Sequence, residues 1–327
     1  MRLRVITGSE LRRLVPMSEC IDIIRETMKD VSNGNAVLPL RWGMGLPNQQ
    51  GMMGIMPGYI ASPECFGLKL VSLFPGNTAT EFPSHMGLMV LFEANNGAPI
   101  ALLDSNEITK LRTAAASAVA TDMLARKNAG ILTILGNGEQ AGAHLEAILE
   151  IRNLQEIYVW GRNSEKVKRF ARQHSDRLGV SIQTLESAED AVRRADIICA
   201  TTSAKEPVLS GDWLQDGAHV NLVGSSIPSA FEADTSAVVR SKFYVDWKQS
   251  TLHQAAEFLR AMEEGAVDES HIAGEIGEVL NNNKTGRLND EEITLYKSLG
   301  IVAQDLATAY AAFEIAEQQD IGVTIIV

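Results

Sequence analysis

Apolar residues along this chain recur first with a helical period, then in short compact runs, and then in regular alternation between the two. Helical spacing covers Ser18 to Val31. A Gly-, Pro- and Met-rich region follows from Asn33 to Ser84, and the runs Phe66 to Phe74 and Gly87 to Phe92, bounded by Pro and Gly, read as strands. From Asn106 to Arg126 the pattern is that of a connecting helix, with Ala114 to Ala120 supplying high intrinsic propensity. After Gly130 strands and helices alternate. Strands are expected at Ile131 to Leu135, Glu156 to Trp160, near Val180, at Asp196 to Thr201, His219 to Val223 and Phe243 to Asp246, and helices at Glu139 to Ile151, Ser164 to Leu178 and Ser187 to Arg194. Leu252 to Glu264 and Glu291 to Glu317 read as further helices, and Ile321 to Val327 as a terminal strand.

This alternation predicts an α/β fold with a doubly wound parallel sheet. The last long helix is expected to carry the chain back to its beginning. The first domain would then be discontinuous, residues 1–120 with 301–327, around a second domain of residues 121–300. No internal repeat is visible.

The 327 residues suffice for two buried cores, and a composition of 45% hydrophobic and 21% charged residues is that of a globular protein. Net charge is −12 and no stretch concentrates Lys and Arg, which argues against a nucleic-acid partner. No apolar run approaches the roughly 20 residues that span a bilayer. The start of the chain, with Glu10, Arg12 and Arg13, does not resemble a secretory leader, so a cytoplasmic protein without a membrane partner is expected. Cys20, Cys65 and Cys199 are odd in number and far apart, which fits inert buried thiols rather than disulfides or a zinc cluster.

Immediately after the Ile131 to Leu135 run comes Gly136-Asn137-Gly138-Glu139-Gln140-Ala141, a G-x-G-x-x-A turn between strand and helix. Gly136 suits the tight turn, Gly138 the close approach of a pyrophosphate and Ala141 close helix packing, so dinucleotide binding is expected. The second strand ends in Trp160-Gly161-Arg162-Asn163, with no carboxylate for the ribose hydroxyls. Arg162 favours NADP(H) over NAD(H) if it meets a 2′-phosphate, and tolerates either if it faces solvent. Three cations stand out earlier: Arg41, Lys69 and Arg112. Lys69 interrupts an apolar run, where it either points into a polar site or snorkels to the surface. The arginines suit a carboxylate, and a desolvated lysine suits a proton donor. His85, in Pro83-Ser84-His85, is a secondary proton-donor candidate or a structural residue, and Trp42, Met52 and Met53 are pocket-wall or core candidates. No spaced set of His, Cys and acids suggests a metal site.

Leu68-Lys69-Leu70-Val71-Ser72, Phe74-Pro75-Gly76-Asn77, Pro83-Ser84-His85, Asp104-Ser105-Asn106, Arg112 to Ser117, Gly136 to Gln140, Val223-Gly224-Ser225-Ser226, Glu275 to Val279 and Lys297-Ser298-Leu299-Gly300 together resemble the ornithine cyclodeaminase/mu-crystallin family along essentially the whole chain. The resemblance implies a homodimer, with a Rossmann-type NAD(P)-binding domain and a discontinuous α+β domain for substrate binding and dimerisation. By position, Arg41, Lys69 and Arg112 would surround the substrate carboxylate and reacting nitrogen. Thr113, Gly136 to Gln140, Arg162, Val223 and Ser298 would line the cofactor, with Asn163, Thr201 and Ser225 beside them. Cyclodeaminases of the family place an Asp where this chain has Ser226, and a serine cannot hold a charged amine as a carboxylate does. The expectation is therefore an NAD(P)H-dependent reductase of a 2-imino acid, giving an L-amino acid. Substrates would be cyclic ketimines such as 1-pyrroline-2-carboxylate or 1-piperideine-2-carboxylate, or linear imines such as iminosuccinate or iminopropionate. A cyclodeaminase and a small-molecule binding protein are the alternatives.

Overall fold

A computed structural model describes the backbone of residues 2–47, 50–224 and 229–326. The chain opens with β1 (Arg2–Ile6), α1 (Gly8–Leu14), α2 (Met17–Ser32), β2 (Ala36–Val37), β3 (Trp42–Gly45), β4 (Met52–Ala61), β5 (Glu64–Leu73), β6 (His85–Glu93), β7 (Pro99–Asp104) and α3 (Ser105–Leu124). It continues through β8 (Ile131–Leu135), α4 (Glu139–Ile151), β9 (Glu156–Trp160), α5 (Ser164–Leu178), β10 (Gln183–Thr184), α6 (Ala188–Val192), β11 (Ile197–Ala200) and β12 (His219–Leu222). Next come α7 (Thr235–Arg240), β13 (Lys242–Val245), α8 (Lys248–Gln254), α9 (Ala256–Glu263), β14 (Ile272–Glu275), α10 (Ile276–Leu280) and β15 (Thr294–Lys297); α11 (Val302–Gln319) and β16 (Val323–Ile326) close it. Contacts divide the chain into two compact units, Met1–Arg112 with Ile301–Val327 and Thr113–Gly300. The division between them falls inside α3, between Arg112 and Thr113.

The first unit is a mixed sheet in the order β16-β1-β7-β6-β5-β4-β2, with β3 on β4. Among the described residues only β1 and β7 run parallel, and the other pairs are antiparallel. Pairing fixes which residues share a face. Lys69 lies opposite Met56 and Met89, on the face that also carries Gly58, Gly67 and Leu91. Helix α11 covers this face and approaches closely because glycines line its path: a Cβ on Gly58 would lie 2.5 Å from Val302 Cγ1, and one on Gly67 would lie 3.0 Å from Leu306 Cδ2. Helix α2 buries Cys20, Ile21, Ile24, Met28 and Val31 along one stripe, the period read from the sequence.

The second unit is an all-parallel sheet in the order β10-β9-β8-β11-β12-β15-β13-β14. β8 and β11 to β13 and β15 are almost wholly buried, as strands covered on both faces must be. After β10 the chain crosses back past β8 to lay down β11, so the order reverses beside the first strand. Two expectations need correction. The expected helix Glu291 to Glu317 is a strand, β15, followed by α11; Thr294 to Lys297 are all buried, and an apolar run buried on both faces has no period that separates it from helix. The expected helix Leu252 to Glu264 is two helices, because Ala255 takes an extended conformation at ψ 96°.

Candidate active site

Lys69 is 3% exposed, which removes the snorkelling alternative. Strand β5 aims it at the α11 face. Its Nζ donates to Asp305 Oδ1 at 2.9 Å and to Thr109 Oγ1 at 2.5 Å. Asp305 sits one turn into α11, and the same Oδ1 accepts from Arg112 Nε at 3.0 Å. Arg112 also donates to Gln304 Oε1 at 3.0 Å, so two consecutive residues of α11 fix the guanidinium. All of these side chains belong to the first unit, where two cations share one buried carboxylate.

Burial pulls the Lys69 pKa down; Asp305 opposes it, while Arg112 and Arg41 add to it, leaving the amine at about 8. Burial alone would raise the carboxyl of Asp305, but Arg112 and then Lys69 outweigh it and hold it below the usual range. Arg41, just before β3, is thus close enough to act on Lys69 by its charge. His85 is not brought to Lys69. It opens β6 on the same sheet face, but pairs with Leu73, four residues or about 13 Å further along the strand. Its Nδ1 meets Ser84 Oγ at 3.1 Å and its carbonyl accepts from Asn106.

Among the wall candidates only Met52 shares the Lys69 face. Trp42 pairs with Ile55, and Met53 with Ser72, so both lie on the opposite, exposed face. Asp305, Gln304 and Thr109 were missed in the sequence. The sequence offered only a faint trace of Asp305, a lone acid between Val302-Ala303 and Leu306-Ala307 whose burial shows once α11 is placed against the sheet. The three cysteines are free and buried, with burial pushing each thiol up to about 12.

In the second unit, the turn after β8 lies against the end of β11. Gly136 has φ +118°, and a Cβ there would lie 2.8 Å from the Thr201 carbonyl oxygen, so both conformation and space require glycine. Gly138 caps α4 without a side-chain hydrogen bond, and a Cβ on it would meet nothing within 4 Å. The backbone is open there for a bulky group to approach the helix N-terminus. Glu139 and Gln140 form the first turn of α4, and Asn137 Oδ1 lies against Gly161. Arg162 is exposed, and Asn163 caps α5 by accepting from Lys166 N at 2.9 Å. Val223 follows β12 at the same carboxyl edge. The hydroxyls of Thr113 and Ser298 are buried without a hydrogen-bond partner among the described residues. An open glycine at a helix start, the reversal of strand order beside it and two orphaned hydroxyls fit a dinucleotide. Ser225 and Ser226 lie outside the described residues.

The family described as ornithine cyclodeaminase/mu-crystallin matches residues 3–320. The chain is 36% identical to a Delta(1)-pyrroline-2-carboxylate reductase of Bacillus cereus over 319 residues, 97% of this chain and 98% of the relative. Among solved structures, a Thermococcus litoralis Delta(1)-pyrroline-2-carboxylate reductase in complex with NADH and L-proline superposes with a TM-score of 0.95 at 38% identity, covering 98% of this chain and 100% of that one. An archaeal alanine dehydrogenase dimer with bound NAD superposes with a TM-score of 0.94 at 31% identity, covering 100% and 99%.

Proposed function

The chain belongs to the ornithine cyclodeaminase/mu-crystallin family, and from that premise we propose that it reduces 1-pyrroline-2-carboxylate to L-proline at the expense of NAD(P)H. The observation that carries this reading is the buried Lys69–Asp305–Arg112 cluster. Two cations on one carboxylate leave one positive charge over, and a buried excess charge calls for an anionic ligand. The carboxylate of a 2-imino acid supplies it. The relatives acting on the cyclic imine, similar over nearly the whole chain, favour that substrate over linear imines.

NAD(P)H supplies the hydride when bound. The first amides of α4 would take the pyrophosphate beside Gly136, Asn137, Gly138, Glu139 and Gln140, with Thr113, Asn163, Thr201, Val223, Ser225 and Ser298 completing the cofactor site. The end of β9, Trp160-Gly161-Arg162-Asn163, carries no carboxylate to hold the ribose hydroxyls of NADH, and this supports NADPH as the preferred form, with Arg162 meeting its 2′-phosphate. Arg112, its plane set by Asp305 and Gln304, binds the substrate carboxylate together with Arg41, and this orients the imine. Lys69 gives its proton to the imine nitrogen, which makes the adjacent carbon electrophilic, and recovers a proton from water after each turnover. His85, further along the same sheet face, would act on solvent exchange. The second copy of a homodimer would cover the exposed apolar face of the mixed sheet, where Trp42, Met44, Met53, Leu88, Val323 and Ile325 lie.

The test is oxidation of NADPH and NADH followed at 340 nm with 1-pyrroline-2-carboxylate. Turnover is expected with both cofactors, with the higher kcat/KM for NADPH. Lys69→Met should lower kcat on the order of 100-fold while leaving NADPH binding unchanged. Ammonia release from ornithine without net cofactor consumption would overturn the reading in favour of a cyclodeaminase.

A further inference from the structure

Glu232 is fully buried in the second unit, and its carboxylate accepts three backbone N–H groups. Oε1 takes Thr202 N at 2.5 Å, and Oε2 takes Val223 N at 3.1 Å and Gly224 N at 2.6 Å. These donors belong to two loops, those leaving the carboxyl ends of the neighbouring strands β11 and β12. The loops are in close contact there: a Cβ on Gly224 would lie 1.9 Å from the Thr202 carbonyl oxygen. Glu232 is itself held. Its backbone N–H donates to Glu257 Oε1 at 3.0 Å, and Glu257 Oε2 pairs with Lys297 Nζ at 2.9 Å, both side chains fully buried. Lys297 ends β15 and immediately precedes Ser298.

Desolvation raises the Glu232 pKa, opposed by the charge of Lys297 and by the amides it holds. A buried ionic network of this kind contributes little net stability compared with apolar packing of equal volume. What it does supply is registration: one rigid carboxylate sets the spacing of two loops, and the chain through Glu257 and Lys297 ties in the end of a third strand. Thr201, Val223 and Ser298, each adjacent to a residue of this network, are cofactor residues in the reading above.

We propose that Glu232 is a positioning residue for hydride transfer, clamping the Thr202 and Val223–Gly224 backbones so that the reactive end of the dinucleotide is held in one place. The assignment rests on the reading of the chain as an NAD(P)H-dependent reductase. A displacement of about 1 Å at a reacting centre can cost on the order of 100-fold in rate with little effect on binding.

The test uses Glu232→Gln, whose single carbonyl oxygen can serve only one of the two loops. Three measurements are made on the full chain: NADPH affinity by fluorescence titration, kcat for imine reduction, and amide hydrogen exchange without cofactor. Expected are a kcat lower by about 10- to 100-fold, an NADPH Kd within about threefold of the wild type, and faster exchange confined to residues 201–203 and 222–224. Wild-type kcat in the folded variant, or exchange accelerated evenly across residues 113–300 with loss of rate in proportion to loss of folded protein, overturns the proposal. Should Glu232→Gln not fold, Glu257→Gln carries the test. It keeps an acceptor for the Glu232 N–H but loses the charge facing Lys297, so the same local pattern with a smaller rate loss is expected, and wild-type rate and exchange overturn the assignment. A wild-type protein that binds no NADPH or NADH would remove the reductase reading, and the assignment with it. A wild type that binds and turns over while the variants match it removes the assignment alone.

Discussion

Lys69 loses affinity for its proton mainly through burial, and only the Asp305 carboxylate keeps that loss moderate. The sign of the pH dependence follows. With the amine at about 8, reduction should be flat below that value and fall as pH rises through it, because the neutral amine has no proton to give. Asp305→Asn removes the charge that favours the ammonium form. Its pH–rate profile should show the alkaline limb moved below 8, and kcat at pH 7.5 lower by on the order of 10- to 100-fold. An unmoved limb would mean that another group controls it. At this scale the sequence showed the cations and hid their partner. A lysine inside Leu68-Lys69-Leu70 breaks an apolar run and draws notice, whereas an aspartate inside an Ala-rich helix reads as one more solvated position until the helix is seen to face a sheet. Glu232 was hidden for a related reason, since its work is done on backbone amides of loops that carry no periodic signal.

Each strand of the mixed sheet carries two messages on alternate residues. On β5, Cys65, Gly67 and Lys69 face α11, while Phe66, Leu68 and Leu70 face away, opposite Phe92, Val90 and Leu88 on β6. The outward face is apolar and open over much of its width, with Leu88 45% and Trp42 57% exposed. Contiguous exposed apolar surface of this kind is characteristic of protein interfaces. Leu88→Glu is expected to convert a dimer to a monomer in analytical ultracentrifugation with its far-UV spectrum unchanged; a wild-type monomer would count against the homodimer. The strands of the parallel sheet were legible almost residue for residue at β8 and β9, where turn glycines and a following amphipathic helix mark the ends. β15 was not, because four consecutive buried residues next to an Ala-rich helix borrow that helix's pattern.

Across the whole molecule, the fold class was readable because alternation of strand and helix admits few architectures, and the return of α11 to the first unit follows from a late Ala-rich helix after the last parallel strand. Stability against acid was not readable, since it depends on which histidines are enclosed. His144 is fully buried, its Nδ1–H donating to the Gln140 carbonyl at 2.8 Å and its Nε2 accepting from Ser117 at 2.9 Å. Burial lowers it to about 4, and lowers His219 to about 3. The unfolded chain takes up these protons near pH 6.5 while the folded chain refuses them, so stability present above 6.5 is lost as pH falls toward 3. Urea unfolding followed at pH 6 and pH 5 should differ by about 2 kcal/mol from these two groups, and His144→Gln should remove about half of that difference.

The pairing of Lys69 with Asp305 spans 236 positions of sequence. A ribosome working at about 5 to 20 residues per second needs roughly 10 to 50 seconds to cover that interval. Throughout that time the nascent chain has a lysine in the middle of an apolar strand and no counter-charge to bury it with, while residues 113–300 emerge with every strand of their own sheet. The order of synthesis therefore makes the second unit the first to mature. The first unit, begun first, is finished last.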